Sequence, residues 1–209
     1  MALSGLIDMG KSIVTIAIVC VATFLPLQSR ADSWAAATPK VVASPDGETL
    51  VRVEPGESLG DTVGFAGAGK GAFARATYYR RNTDNGNYEP ARTISLDNPV
   101  SPVDTYLNNA GILVTLDNWH NAGYGKVVVI YDRDGKLLRS YELEDLYSES
   151  AVGRILTSVS SRWWRCASVM PWISDGEFWL RDSFGGEFRF DLSTGNYTYE
   201  ESPGSCMQN

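Results

Sequence analysis

Two kinds of hydrophobic run mark this chain. Lys126–Tyr131, KVVVIY, is apolar almost without a break and rich in β-branched residues. A run this short, bounded by turn residues, predicts a strand buried on both faces. Glu187–Leu192, EFRFDL, alternates apolar and polar positions, which predicts a strand with one face in a core and the other in water. Similar runs recur at Thr49–Val53, Ala72–Arg81, Tyr88–Leu96, Val103–Leu107, Ile112–Leu116, Leu137–Leu143, Phe178–Arg181 and Tyr197–Glu200. Between them stand Ser44-Pro45-Asp46-Gly47, Asn85-Gly86, Asp132-Arg133-Asp134-Gly135 and Ser193-Thr194-Gly195-Asn196. These are turn sequences: Pro presets φ, and Gly accepts the positive φ that a tight hairpin requires. Pro90 cannot donate to a ladder, so it assigns its strand to an edge or its start. Glu144–Ser150 reads as a short helical turn, and Ala151–Ser161 fits either helix or strand. The expected class is all-β with antiparallel sheets.

The turns repeat. SPDGETLVRV at 44–53, NNAGILVTL at 108–116 and ISDGEFWLR at 173–181 lie over one another, with Gly47, Gly111 and Gly176 spaced 64 and 65 residues apart. A second turn follows each: NGNYEPARTISL at 85–96, DGKLLRSYEL at 134–143 and TGNYTYE at 194–200. A fixed period marks a repeat architecture. It predicts three units, about 39–97, 98–160 and 161–200, in a single β domain over 32–209 with a short C-terminal tail. The turns SPDG and YDRDGKLL resemble the blade turns of bacterial β-propeller repeats. That resemblance implies propeller-like blades and carries over no catalytic residue. The chain departs from it in lacking the tryptophan-aspartate dipeptide of the best-known propeller repeats. Three units are also fewer than the four or more blades of a usual ring. A β-sandwich or barrel, or a ring completed by further copies in a homo-oligomer, are the alternatives.

The N-terminus reads differently. Lys11 precedes the uncharged run Ile13–Leu25, Pro26 breaks it, and Ser29 and Ala31 flank a cleavage point. This is the pattern of a signal peptide over 1–31, removed on export to the periplasm or the extracellular space, leaving no membrane span. Cleavage would leave Cys166 and Cys206, which an oxidising compartment joins as a disulfide. With these two cysteines and one histidine the usual ligands for a closed zinc site are too few, so no metal or other cofactor is expected. The net charge of −7 excludes a nucleic-acid binder relying on a basic face.

The candidate chemistry is sparse. Gly64–Lys70 fits the GxxxxGK half of a phosphate loop, but Gly71 stands where Ser or Thr should hold Mg²⁺. Asp132 and Asp134 suggest a calcium loop, but Ile130 and Tyr141 fall where that motif requires acids; an Asp-Gly hairpin explains the segment. Glu142, Glu144 and Asp145 read as a solvated charge run. His120, beside Asp117, has no GxSxG partner motif to make a triad. What remains is a binding surface. Trp119, His120 and Tyr124 lie on the polar and aromatic loop Asp117–Gly125, and long loops on a β scaffold carry function more often than strands do. Trp163 and Trp164 are adjacent, so alternation along an extended chain keeps them from both facing inward. The expectation is a non-enzymatic exported module that binds a protein or a carbohydrate through these residues. The competing readings are a hydrolase assembled from scattered Asp, Glu and Ser, and a structural piece of an envelope complex.

Overall fold

The computed structural model describes residues 35–57, 71–202 and 206, all within one unit, Ala35–Asn209. The leader expected over 1–31 and the Gly64–Lys70 segment lie outside the described residues.

The protein is all-β: among the described residues three four-stranded antiparallel sheets follow one another along the chain, none closed into a barrel. Sheet 1 is β1 (Lys40–Ala43), β2 (Thr49–Glu54), β3 (Arg75–Arg81) and β4 (Tyr88–Ser95). Sheet 2 is β5 (Pro102–Leu107), β6 (Leu113–Asn118), β7 (Val128–Tyr131) and β8 (Leu137–Tyr141). Sheet 3 is β9 (Trp172–Ile173), β10 (Glu177–Arg181), β11 (Glu187–Asp191) and β12 (Tyr197–Glu200). Each is a simple meander in which neighbours in sequence are neighbours in the sheet. Two short helices, α1 (Leu143–Leu146) and α2 (Glu149–Val152), lie between sheets 2 and 3 in sequence. Pro90 sits on β4, the edge strand of its sheet, beside an irregularity in the β3–β4 register. No helix among the described residues is long and apolar enough to cross a membrane.

Two cores hold the sheets together, and sheet 2 belongs to both. Leu113, Val129 and Tyr131 pack with Val51, Val53, Ala76 and Tyr78 of sheet 1. Their neighbours Val114, Leu116, Val128 and Ile130 pack with Phe178, Leu180, Phe188 and Phe190 of sheet 3. Successive side chains of one strand point to opposite faces, so an unbroken apolar run is what a strand between two cores requires. Each such side chain contributes roughly 1.5–3 kcal/mol by leaving water. The sheet 3 side is aromatic: Phe178 and Tyr106 lie 5.2 Å apart, and Tyr141 and Phe190 5.6 Å. The outer faces differ. On sheet 1, Arg52 and Arg75 both pair with Glu54. On sheet 3, Arg181 and Arg189 pair with Glu187.

The repeated turns fall at matching places. Those of 44–48, 108–112 and 174–176 each join the first two strands of a sheet, and they stand side by side. The Asp46 N–H donates to Asn109 Oδ1 at 2.9 Å, and the Asn109 N–H donates to Asp175 Oδ1 at 3.2 Å. The turns between third and fourth strands of sheets 2 and 3 each meet the last strand of the preceding sheet: Arg92 of β4 donates to the Arg133 carbonyl, and on β8 Arg139 donates to Asn196 and the Tyr141 hydroxyl to the Gly195 carbonyl. A meander with both sets of turns at one end leaves its longer connections at the other. Cys166 and Cys206 are joined there by a disulfide with Cα atoms 5.5 Å apart, 40 residues apart in sequence. Closing a loop of that length constrains the unfolded chain by about 4 kcal/mol in the chain-entropy account.

Candidate functional site

The connection end is organised by a buried aspartate. Asp117, 1% exposed, ends the apolar stretch of β6 with φ of 55°. It and His120, φ 73°, are the non-glycine residues with positive φ among the described residues. Asp tolerates this region better than most residues because its short side chain can bond locally. Here Oδ1 accepts the Gly123 N–H at 2.9 Å and Trp164 Nε1–H at 2.8 Å, and Oδ2 accepts Arg165 Nε–H at 2.8 Å. Asn98, itself buried, donates to the Asp117 carbonyl and accepts from Thr115. One carboxylate thus ties the loop after β6 to the segment entering sheet 3.

Arg165 is held from a second side by Asp104 of β5, whose Oδ2 accepts from Nη2 at 2.9 Å. Burial works against the Arg165 charge, but Asp117 and Asp104 outweigh it and raise its pKa. Tyr106, two residues along the same strand, is pushed up to about 12 by burial and the Asp104 charge, with Arg165 opposing. Above this floor lies a cleft of about 270 Å³, walled by Trp163, Met170, Pro171 and Arg162. Arg162 pairs with Glu144 at 2.9 Å and covers the ring of Tyr124 at 4.3 Å. On the other side of Trp163 is a second hollow of about 210 Å³, formed with Leu156, Arg154, Phe184 and Cys206.

The residues expected on a binding surface separate into different roles. Trp163 is 47% exposed and stands between the two hollows, whereas Trp164 is 1% exposed and belongs to the core. Trp164 is therefore a support whose indole N–H is spent on Asp117. Trp119 is half-buried, donates to the Ala35 carbonyl at 2.8 Å and lies under the Lys40 ammonium at 4.6 Å. His120 is half-buried, and burial lowers its pKa. Tyr124 lies beneath Arg162. The carboxylate of Asp117 is committed to Gly123, Trp164 and Arg165. Asp104, Arg162 and Arg165 are the members of the site that sequence reasoning passed over. Their one local signal is an aspartate inside a strand, a position from which Asp is depleted.

A second buried carboxylate, Asp182, completes the picture. Its Oδ1 accepts the N–H groups of Phe184 and Gly186, and its Oδ2 accepts the hydroxyls of Tyr147 at 3.1 Å and Tyr199 at 3.0 Å. Burial, followed by the Asp182 charge, raises Tyr147 well above the usual phenol value and pushes Tyr199 up to about 12. With each oxygen accepting two hydrogen bonds, Asp182 serves as the pin of the β10–β11 turn. Compared with protein-family models and with curated proteins, this chain matches none.

Proposed function

We propose that this protein is an exported, non-enzymatic β-repeat module that captures a partner at its connection end, with Trp163 as the central contact. The observation that carries the reading is a half-exposed tryptophan on a rigid base. Trp163 directly precedes the core residue Trp164, which is followed by the doubly paired Arg165, and it lines both hollows. A large flat side chain that loses little entropy on binding suits a contact hot spot. Met170 and Leu156, 76% and 61% exposed, extend the apolar surface on either side. The disulfide and the leader pattern support export. The side-by-side turns support a propeller-like relation between successive sheets. The charged outer faces of sheets 1 and 3 support a stack that stands alone over a ring completed by copies.

The test is capture of a partner from source-cell extract by the immobilised protein, comparing Trp163→Ala with Trp172→Ala. Trp172 is 57% exposed and faces Trp179 on sheet 3, so it controls for loss of any exposed indole. Truncating a hot-spot tryptophan costs about 2 kcal/mol or more. The Trp163 variant should therefore lose capture by more than tenfold while the control retains it. Equal capture by both variants would overturn the reading.

A further inference from the structure

We infer that the cleft beside Trp163 is a saccharide site, taking one uncharged pyranose ring of a neutral glycan. This inference rests on the binding-module reading and names its ligand class. Charge decides first. The ionisable groups lining the cleft, other than tyrosine, are Asp104, Asp117, Arg162 and Arg165, so positive and negative charges cancel. Arg165 is already engaged by two carboxylates at 2.8 and 2.9 Å, and an anion would have to compete with both. A cation would meet Asp104 only with Arg165 alongside. A neutral ligand carrying both donors and acceptors faces neither conflict.

Geometry decides next. Asp104 offers acceptor oxygens on a side chain 41% exposed, and Arg165, 20% exposed, presents its guanidinium next to them. Adjacent hydroxyls of a sugar ring fit such a pair, accepting from the guanidinium and donating to the carboxylate. The pair is already fixed before a ligand arrives, because Arg165 donates to Asp117, whose carboxylate is itself anchored by the buried Trp164. Preorganised polar groups avoid the ordering cost of binding. Trp163 supplies an apolar plate at the wall, where the C–H face of a pyranose can lie against an indole. The volume, about 270 Å³, falls just below the ~300 Å³ at which sites for drug-sized ligands begin, which suits one ring. The second hollow that Trp163 lines lets the rest of an oligosaccharide run on past the indole.

The experiment presents the purified protein with immobilised neutral hexose and N-acetylhexosamine oligosaccharides, with sialylated and sulfated glycans in parallel. Hits are titrated by tryptophan fluorescence. The expected result is saturable binding confined to neutral glycans. Trp163→Ala and Asp104→Asn should each weaken it at least tenfold, Trp163→Phe should recover part of the loss, and Trp172→Ala should leave it unchanged. Circular dichroism of each variant establishes that it is folded. Preference for anionic glycans, or neutral binding indifferent to both Trp163 and Asp104, would overturn the assignment. Trp163-dependent capture of a protein with no glycan retained would overturn it too, while leaving the binding module standing. If neither glycan nor protein is captured, both readings fall.

Discussion

Replacing Asp117 tests the centre of the connection end. Asp117→Asn keeps the size of the side chain and the tolerance for a left-handed φ. Its Oδ1 can still accept from Gly123 and Trp164, but an NH₂ group replaces Oδ2 and faces Arg165 Nε–H, donor against donor. One charge-assisted hydrogen bond is lost, worth about 1.5–3 kcal/mol. Breaking a fully buried pair costs about 3–5 kcal/mol. Arg165 keeps Asp104 and some contact with water, its side chain being 20% exposed, so the cost falls below that of a fully buried pair, at about 2–3 kcal/mol. Asp117→Ala should cost more. It leaves Trp164 Nε1–H and the Gly123 N–H without their acceptor at about 1–3 kcal/mol each, and puts Ala at a φ of 55°. The assay is urea unfolding with the disulfide intact. With a slope of about 2 kcal/mol/M, Asp117→Asn should lower the midpoint by roughly 1–1.5 M. Adding Arg165→Met to Asp117→Asn removes the stranded guanidinium, so the double variant should be more stable than the two single losses sum to. A change below about 0.5 kcal/mol in Asp117→Asn, within the scatter of ordinary surface substitutions, or strict additivity with Arg165→Met, would refute the hub.

Other outcomes follow from single sites. Tyr78, fully buried beneath Arg92, has a hydroxyl with no hydrogen-bond partner among the described residues, so Tyr78→Phe should leave stability unchanged or raise it by about 1 kcal/mol in the same urea assay. Gly123 has φ of 77°, and an added Cβ would stand 2.5 Å from the Arg162 carbonyl oxygen. Gly123→Ala should therefore destabilise by about 2 kcal/mol or more, from the left-handed penalty plus displacement of the Arg162 segment. His120 has its pKa lowered by burial, so its NMR titration midpoint should fall below 6.5, the value for the unfolded chain. Between those two values the unfolded state binds the proton first, so stability falls as pH drops and is fully present above 6.5. His120→Asn, which suits a φ of 73°, should remove that part of the pH dependence, and an unchanged pH profile would refute it.

Reading the sequence reached the sheets because their causes are local. Lys126–Tyr131 could be assigned to a doubly buried strand since side-chain alternation makes an unbroken apolar run useless in any half-exposed one. Phe188 and Phe190 announced a single core face by their spacing. Gly47, Gly111, Gly135 and Gly195 marked turns because each adopts a positive φ, a conformation the residue type itself advertises. The site was less legible because its bonds are not local. Arg165 reaches Asp117 across 48 residues and Asp104 across 61, and no period links them. Adjacent Trp163 and Trp164 showed that only one could be core. Which one depends on where the Asp117 carboxylate lies, and that is set by the tertiary packing of β6 against sheet 3.

The charged outer faces of sheets 1 and 3 also bear on how such a chain can lengthen. Copying either end sheet and adding the copy outside would bury Arg52, Glu54 and Arg75, or Arg181, Glu187 and Arg189, between sheets. The desolvation of those ions would oppose it. A copy of sheet 2, apolar on both faces, could be inserted beside the original with each new surface meeting another of its kind. A duplicated sheet would therefore be accommodated with less desolvation of charge beside sheet 2 than outside sheet 1 or sheet 3.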